Sequence, residues 1–445
     1  MWLWWRVCYG AYRLFSAART FIDRRLTRIG VLAAAGLAAS AALGIDTNVS
    51  VTYQVFSMLA GCFAVGLAYG LTFHPRFRAT RRLPRFGTAG EPLEYTLAVE
   101  NLRARPARGL GWLEKVADPK TGLREFIERR ELGGPDETWW RREVRAFSVR
   151  NRRSANIHPG SLPPLPASGR VETPASLLPL RRGYLHFQSL SLTRTDPLGL
   201  WRSAKDFQLP QSVLILPRRY PVPPLRLAGR RSYQPGGVAL SGAVGESEEF
   251  VGLRDYRPGD PPRRIHWKSW AKTGRPIVRE CEDEFFVRYA LVLDTFSGNR
   301  DPQRFEDAVS VAASFACAVD TQETLLDLMF VGNEAFCFTA GRGVAPVEKM
   351  LEVLACAPSR DDENFGELDT LVERHLSLLS GCMLVLLDWD ERRRRLVERL
   401  SANGVPILAV VMTHEKGGPL QNALAGDAVV RAIRSGHLGE DLLRL

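Results

Sequence analysis

The sequence predicts an α/β domain in the C-terminal part of the chain, preceded by a small β-sandwich and an N-terminal pair of transmembrane helices. Three observations predict this architecture. Two uncharged apolar segments lie within the first 73 residues. Short segments of alternating apolar and polar residues follow from residue 85, and continuous apolar strands alternate with helix-period segments from residue 288. A chain of 445 residues is long enough for two or three domains.

The two apolar segments are residues 29–45, rich in alanine and glycine, and residues 51–73, rich in larger apolar side chains. A helix needs roughly 17–25 apolar residues to cross a bilayer. The second segment meets this length, and the small residues of the first would allow the two helices to pack closely. We therefore expect a transmembrane hairpin over residues 29–73. The alternative is a helical hairpin buried inside a soluble protein.

The distribution of arginine predicts the topology of this hairpin. Residues 1–85 contain eleven arginines and two aspartates, so they supply nine of the eleven net positive charges of the chain. The turn at residues 46–50 contains no positive charge. By the positive-inside rule, both termini lie in the cytoplasm and the turn lies outside, and no cleaved signal peptide is expected. Because the positive charge is concentrated beside the membrane segments, we expect no nucleic-acid partner.

Residues 1–28 combine aromatic side chains with arginines, starting at Trp2, Trp4, Trp5 and Arg6. This composition favours an interfacial helix whose aromatic rings enter the membrane and whose arginines contact anionic lipid. A disordered basic tail is the alternative.

Residues 85–216 are predicted to form the β-rich domain. Apolar residues alternate with polar ones from Leu93 to Val99, and Asn101 ends this strand. Further strands are expected at residues 140–149, 184–193 and 213–216. Residues 157–180 contain six prolines and are predicted to be a loop.

Residues 217–287 are predicted to form a linker that carries a distinctive motif, and residues 288–445 the α/β domain. Apolar strands are expected at residues 289–294, 325–331, 383–387 and 406–411, and helices at residues 305–316, 347–354, 368–379 and 392–400. In such sheets, ligands bind at the carboxyl ends of the strands. Asp294 and Asp388 follow two of these strands, although an aspartate at a strand end is also a common helix cap.

The motif occupies residues 250–274 and is called the signature run below. Pro258 and Gly259 favour a tight turn. Asp260 has arginines within reach at positions 257, 263 and 264, which predicts a buried charge-assisted network. Trp267 and Trp270 supply a large apolar anchor, so Trp267→Ala is expected to destabilise the fold. The run either clamps the β-rich domain onto the α/β domain or binds a partner.

The signature run resembles the bacterial domain of unknown function 58 family, whose hallmark is Arg-x-Tyr-x-x-Gly-Asp-x-x-Arg-x-Ile-x-Trp-Lys. The matching residues are Arg254, Tyr256, Gly259, Asp260, Arg263 or Arg264, Ile265, Trp267 and Lys268. Residues 181–184 and 196–200 resemble upstream elements of the family, and the N-terminal hairpin also fits. The resemblance implies a multi-pass protein of the bacterial inner membrane.

The family is similar in its C-terminal part to von Willebrand factor A domains, a Rossmann-like fold that binds Mg²⁺ through Asp-x-Ser-x-Ser, a threonine and a later aspartate. Here Asp294 matches, Phe296 and Gly298 replace both serines, and Ser297 is out of register. Asp388 or Asp390 could supply the later aspartate, and no loop threonine matches. We therefore expect no metal or other cofactor, with Mg²⁺ the ion that such oxygen ligands would hold.

No catalytic motif or phosphate-binding loop is present, and the seven cysteines are scattered singly, as in a reducing compartment. The sequence therefore favours a non-enzymatic, membrane-tethered interaction protein. The resemblance implies association with a MoxR-type AAA+ ATPase in the assembly or maturation of other proteins, including membrane proteins. The alternative is a metal-dependent hydrolase that uses Asp294, Asp388 and Asp390.

Overall fold

The computed structural model divides into two compact units, Met1–Leu216 and Pro217–Leu445, and each is treated by itself. The structure describes residues 21–22, 25–43, 50–73, 75–117, 154–223, 250–258, 260, 262, 265–281, 287–297, 302–322, 324–360, 364–413 and 428–445. The predicted interfacial segment lies mostly outside this set, as do the turn between the apolar helices and the predicted strand at residues 140–149.

Two apolar helices begin the first unit, α1 (Arg28–Leu43) and α2 (Ser50–Leu71). They pack together, and a Cβ on Gly36 of α1 would lie 3.5 Å from Cδ1 of Leu59 in α2. Among the described residues, one helix is long and apolar enough to cross a membrane, Val51–Leu71 with a mean hydropathy of 1.6, and few of its residues are buried. The apolar helix α1 is shorter, so of the two described helices only α2 meets this test by its length and composition.

The rest of the first unit consists of two β-sheets that share one apolar core, as predicted for a β-rich domain. The strands are β1 (Phe77–Arg82), β2 (Phe86–Thr88), β3 (Leu93–Asn101), β4 (Leu110–Val116), β5 (Ala155–Ile157), β6 (Gly160–Ser161), β7 (Arg170–Pro179), β8 (Gly183–Thr195) and β9 (Arg202–Leu216). One sheet has the order β1-β3-β7-β5 and the other β2-β9-β8-β4-β6. In β3 and β7, buried residues alternate with more exposed ones, so one side of each strand faces this core.

The prediction of a loop over residues 157–180 was wrong, because this segment contains β6 and the ten-residue strand β7. Pro174 lies inside β7 opposite Thr96 of β3. On its other side, β7 pairs with β5 only from Leu177 to Pro179. Pro174 therefore lies where the described part of the chain offers no second neighbouring strand, and proline is tolerated at such positions.

The second unit contains a six-stranded sheet with the order β14-β13-β12-β15-β16-β17. These strands are β12 (Val287–Leu293), β13 (Thr324–Val331), β14 (Ala335–Ala340), β15 (Gly381–Leu386), β16 (Ile407–Thr413) and β17 (Ala428–Arg434). All pairs are parallel except β13 with β14. The predicted α/β domain with a mostly parallel sheet is thus confirmed, and its central strands are buried on both faces.

Within the described residues, the α-helices that accompany this sheet are α4 (Pro302–Ala318), α5 (Val347–Cys356), α6 (Gly366–His375), α7 (Glu391–Ala402) and α8 (Leu438–Leu442). The apolar residues of α6 and α7 pack with alternate residues of β12, β15 and β16 in one core. This packing positions the loops after β12, β13 and β15 together at the carboxyl edge of the sheet.

Candidate functional site

The signature run and the strand that follows it form a small module, called the signature module below, of two antiparallel strands and a short helix. The strands are β10 (Phe250–Asp255) and β11 (Ile277–Cys281), and the helix is α3 (Trp267–Thr273). Val278 is 1% exposed, and Ile265 forms a bridge opposite it. Gly274 ends α3 with a φ of 70°, which glycine adopts without steric cost. The helix is therefore fixed at both ends.

Asp260 in this module pairs with Arg254 of β10. Nη1 and Nη2 of Arg254 donate to the two carboxylate oxygens at 2.8 and 2.7 Å, and the main-chain N–H of Arg257 donates to Oδ2 at 2.8 Å. The Arg254 hydrogen bonds, with help from the Arg257 main chain, lower the pKa of Asp260 to about 2. The predicted network had Arg257, Arg263 and Arg264 around Asp260; Arg257 contributes its main-chain N–H, and the other two arginines lie outside the described residues. The pair that the structure shows is not fully buried, since the Asp260 and Arg254 side chains are 15% and 31% exposed.

Trp267 is not the buried anchor that the sequence suggested, because it is 64% exposed. Its ring stacks on that of Trp270, with centroids 5.2 Å apart and planes at 15°. Leu253 and Tyr256 of the same module are 43% and 36% exposed, and Lys268 is also exposed. The module thus presents apolar side chains to solvent.

Gly259, Arg263 and Arg264 lie outside the described residues. The hydrogen bond from the Asp260 N–H to the Arg257 carbonyl, 3.0 Å, spans the turn predicted at Pro258 and Gly259. Whether the signature run clamps the two domains together stays a prediction.

The second predicted site lies at the carboxyl edge of the six-stranded sheet, where Asp294 is fully buried. Its Oδ1 accepts the N–H of Phe296 at 3.0 Å, and its Oδ2 accepts the N–H of Leu387 at 3.0 Å. Oδ2 also accepts Nε of Arg393 at 2.7 Å. Burial raises the pKa of the Asp294 carboxyl, and the Arg393 guanidinium acts against this shift. Both carboxylate oxygens therefore have donors from the chain itself.

Arg393 extends this network from α7. The residue is 6% exposed, its Nη1 donates to Asp390 at 2.6 Å, and its Nη2 donates to the carbonyl of Phe296 at 3.2 Å. Asp390 also caps α7 by accepting the N–H of Arg393. One guanidinium thus joins the loops after β12 and β15, and it supplies the positive charge next to Asp294.

The other two residues of the predicted metal site are not joined to Asp294 by any hydrogen bond found in the described chain. Ser297 bonds to Ser359 through their hydroxyls, and the exposed Asp388 accepts the N–H of Trp389 at 2.8 Å. The described residues contain no group of three or more His, Cys, Asp or Glu side chains that could hold a metal ion. This donor set does not fit an Mg²⁺ ion, because the buried carboxylate already faces a cation.

Sequence reasoning missed two arginines at this edge. Arg360 donates to the Gly332 carbonyl and to Glu367 at 3.1 and 2.8 Å, so it ties the loop after β13 to α6. Arg393 had a detectable signal, because it lies three and four residues before Leu396 and Val397, on the buried face of α7. A charged residue on an apolar helix face indicates a buried partner.

A comparison with known sequences finds a family match within the second unit. Residues 252–415 match the sequence model of the family described as "Protein of unknown function DUF58". This part of the chain is similar in sequence to the DUF58 family. The resemblance to this family that the signature run indicates is therefore confirmed. The match does not include residues 181–184 and 196–200, which resemble upstream elements of the family.

The chain also matches a curated relative. The chain is 28% identical over 180 residues to "Uncharacterized protein YeaD" of Bacillus subtilis strain 168. That match covers 40% of this chain and 43% of YeaD, so the chain spans less than half of the relative that it matches.

Two solved structures of the CARDB domain of PF1109 from Pyrococcus furiosus are also similar to part of the chain. The solution structure is 10% identical and covers 31% of this chain and 96% of its own, with a TM-score of 0.16. The crystal structure, in complex with di-metal ions, is 9% identical and covers 32% and 89%, with a TM-score of 0.17. Scores this low support no conclusion about fold or ligand.

Proposed function

We propose that this protein is a non-enzymatic, membrane-tethered interaction protein that acts with a MoxR-type AAA+ ATPase in the assembly or maturation of other proteins. The observation that carries the proposal is Trp267, which is 64% exposed at the start of α3 in the signature module. The ATPase itself comes from the family resemblance.

An exposed tryptophan on an ordered module is typical of a protein-binding surface. Tryptophan, tyrosine and arginine dominate the binding energy of protein interfaces. Leu253 and Tyr256 add exposed apolar surface to the same module, and Arg257, Lys268 and Lys272 add exposed positive charge. This composition fits a partner surface with an apolar pocket and acidic residues around it.

The module is also preorganised for binding. The paired hydrogen bonds between Arg254 and Asp260 hold the loop after β10, and the stack on Trp270 restricts the rotamers of Trp267. Because these groups are ordered before binding, less conformational entropy is lost when a partner docks.

The geometry of the carboxyl edge favours a scaffold over a hydrolase. The strand order resembles the doubly wound order of Rossmann-like sheets, which supports a von Willebrand factor A-like domain. In this domain, the Arg393 guanidinium is hydrogen-bonded to the Asp294 carboxylate. A carboxylate already paired with a guanidinium is a poor metal ligand or general base.

For the tether, we propose that α1 and α2 form a transmembrane hairpin with both termini in the cytoplasm. The packing of α1 on α2 and the arginines on both outer flanks support this topology. A reporter fused after Leu445 should then be cytoplasmic, and one inserted at residues 47–49 should be periplasmic. A periplasmic Leu445 would overturn the proposal.

The binding experiment compares two exposed aromatic residues of the second unit. Phe336 is 37% exposed and its ring lies 5.0 Å from that of Phe330, so it is a matched control for Trp267 and its stacked neighbour. The full chain in lipid nanodiscs is titrated with a purified MoxR-type ATPase from the same genome. We expect Trp267→Ala to weaken binding at least tenfold, as for an interface hot spot of about 1.4 kcal/mol or more.

Phe336→Ala should bind the ATPase like the unmodified protein. The proposal fails if the unmodified chain does not bind, or if Trp267→Ala and Phe336→Ala bind equally well.

A further inference from the structure

The turn between β8 and β9 is a compact element within the first unit. It runs from Asp196 to Trp201, and Pro197 and Leu198 occupy its centre. The Gly199 N–H donates to the Asp196 carbonyl at 3.0 Å, and the Trp201 N–H donates to Asp196 Oδ1 at 2.8 Å. These bonds hold Leu198 at the tip, where it is 47% exposed.

One side of this turn is docked on the beginning of α1. The Thr27 N–H donates to the Leu200 carbonyl at 3.2 Å, and the Thr27 hydroxyl donates to the Gly199 carbonyl. A Cβ on Gly30 would lie 2.1 Å from the Leu200 carbonyl oxygen, so only glycine allows this approach. The backbone of the turn therefore touches the backbone of α1.

The other side of the turn is docked on the last two turns of α2. A Cβ on Gly66 would lie 2.8 Å from Asp196 Oδ2, and one on Gly70 would lie 2.6 Å from the Ser203 hydroxyl. The Arg194 guanidinium lies over the ring of Tyr69 at 4.5 Å and donates to Thr72 Oγ1 at 2.8 Å. The turn thus covers one face of α2 from Gly66 to its end.

The remaining faces of the same two helix ends are apolar and exposed. Leu71 follows Gly70 and is 72% exposed, and Ile29 precedes Gly30 and is 63% exposed. Phe21, whose ring lies 6.1 Å from that of Trp201, is 54% exposed. The exposed side chain of Leu198 is therefore carried by a turn that is docked on the same helix ends as these exposed apolar residues.

We propose that the β8–β9 turn is a second membrane-contacting element, with Leu198 inserted into the leaflet in which α2 ends. This inference rests on the proposed membrane tether. Gly66 lies about 8 Å from Leu71 along the helix axis, at a rise of about 1.5 Å per residue. A 22-residue helix is about as long as the hydrocarbon core is thick, so a turn docked at Gly66 reaches the lipid.

The occupant of this surface is lipid with anionic headgroups. The apolar surface belongs to the same helix that crosses the bilayer, and Arg25, Arg28, Arg194 and Arg202 lie in or next to the contacting segments. Arginine at the level of the headgroups attracts anionic lipid, while leucine and phenylalanine favour the acyl region below.

The experiment places one environment-sensitive fluorescent amino acid in the full chain, at position 58, 198 or 180. Met58 lies within α2 and is 65% exposed, so its probe reports whether the helix is in lipid. Leu180 is 41% exposed and precedes β8, whose 13 residues separate it from Leu198 by about 40 Å at 3.3 Å per residue. Each variant is reconstituted in anionic vesicles with and without lipids that carry a nitroxide quencher.

We expect strong quenching at position 58, several-fold stronger quenching at position 198 than at position 180, and a blue-shifted emission at position 198. No quenching at position 58 would show that α2 is not in lipid, and the proposed tether would fail. Quenching at position 58 with equal quenching at positions 198 and 180 would leave the tether standing and overturn this inference. A blue shift without quenching at position 198 would show that protein covers the turn, and it would also overturn the inference.

Discussion

The part of the chain that matches the DUF58 family contains two aspartate–arginine pairs that are built alike but placed differently. In both pairs, two or more N–H donors hold the carboxylate, and main-chain groups complete the set. At the carboxyl edge of the sheet, the Asp294 and Arg393 side chains are 0% and 7% exposed, whereas Asp260 and Arg254 lie at the surface of the signature module. The comparison teaches that burial, more than hydrogen-bond geometry, decides whether such a pair holds a fold together or shapes a surface.

The physical reason is the cost of an unpaired charge. Removing one partner of a buried pair leaves the other charge without solvent or counterion, whereas water replaces the lost partner of a surface pair. The carboxyl edge is therefore sensitive to substitution for structural reasons. The signature module can change its surface residues without losing its fold.

The largest expected effect is that of Arg393→Ala. This change leaves the buried Asp294 without its cation, so we expect a loss of about 3–5 kcal/mol in the free energy of unfolding. Arg394 is the control, because it is the next residue of α7 and its ion pairs with Glu391 and Glu398 are exposed. Arg394→Ala should cost less than about 1 kcal/mol. Urea unfolding of the full chain in detergent measures both, and equal losses would contradict the contrast.

The next effect concerns two tryptophans of opposite exposure. Trp112 in β4 is 4% exposed, so Trp112→Ala should cost about 3–5 kcal/mol. Trp267→Ala loses mainly the stack on Trp270 and should cost about 1 kcal/mol. A similar loss for both in urea unfolding would restore the view that Trp267 is a buried anchor.

A smaller effect is expected on the pKa of Asp260. Because Arg254 lowers the pKa of Asp260 to about 2, its ion pair persists as the pH falls below the ordinary value of 3.8 and is lost only through about pH 2. An NMR titration of ¹³C-labelled aspartate should show this low midpoint, and Arg254→Ala should bring it back towards the ordinary value. A midpoint in the unmodified protein near the ordinary value would show that the pair does not form in solution.

The smallest expected effect is that of divalent metal. Since Asp294 faces Arg393, low millimolar Mg²⁺ or Mn²⁺ should leave the melting temperature of the full chain unchanged. A ligand that binds the folded state raises this temperature. A rise of several degrees that disappears in Asp294→Ala would show that the carboxyl edge binds metal despite its arginine.

Much of the fold could be predicted from the sequence wherever buried strands are uninterrupted apolar segments. The central strands of the α/β domain are uninterrupted apolar segments, because both faces of the sheet are covered. β7 could not be recognised, since its prolines indicate a loop. In the described part of the chain, Pro174 has no neighbouring strand on its second side, and such a position depends on tertiary structure. β9 was seen only at its end, Val213–Leu216, because its first eleven residues are largely polar.

The candidate site was predicted in its residues more than in its geometry. The motif located Asp260 and Trp267, but spacing alone could not distinguish Arg254, six residues away, from nearer arginines as the partner of Asp260. The exposure of Trp267 depends on which residues fold over it. The sequence of the motif does not indicate which residues these are. Asp294 was located by its strand end, and its partner Arg393 lies 99 residues later in a run of four arginines.

The docking of the β8–β9 turn on α1 and α2 has a mechanical consequence. β8 and β9 are paired along almost their whole length, from the turn to the far end at Gly183 and Ile215. This hairpin is about 40 Å long at roughly 3.3 Å per residue, and it is attached to the helices at one end through close glycine contacts. It therefore acts as a lever arm: a tilt of the helix pair by about 10° would move the far end by about 7 Å, for a rigid arm of that length. Helix orientation and the distal edge of the β-rich domain are therefore coupled through this one hairpin.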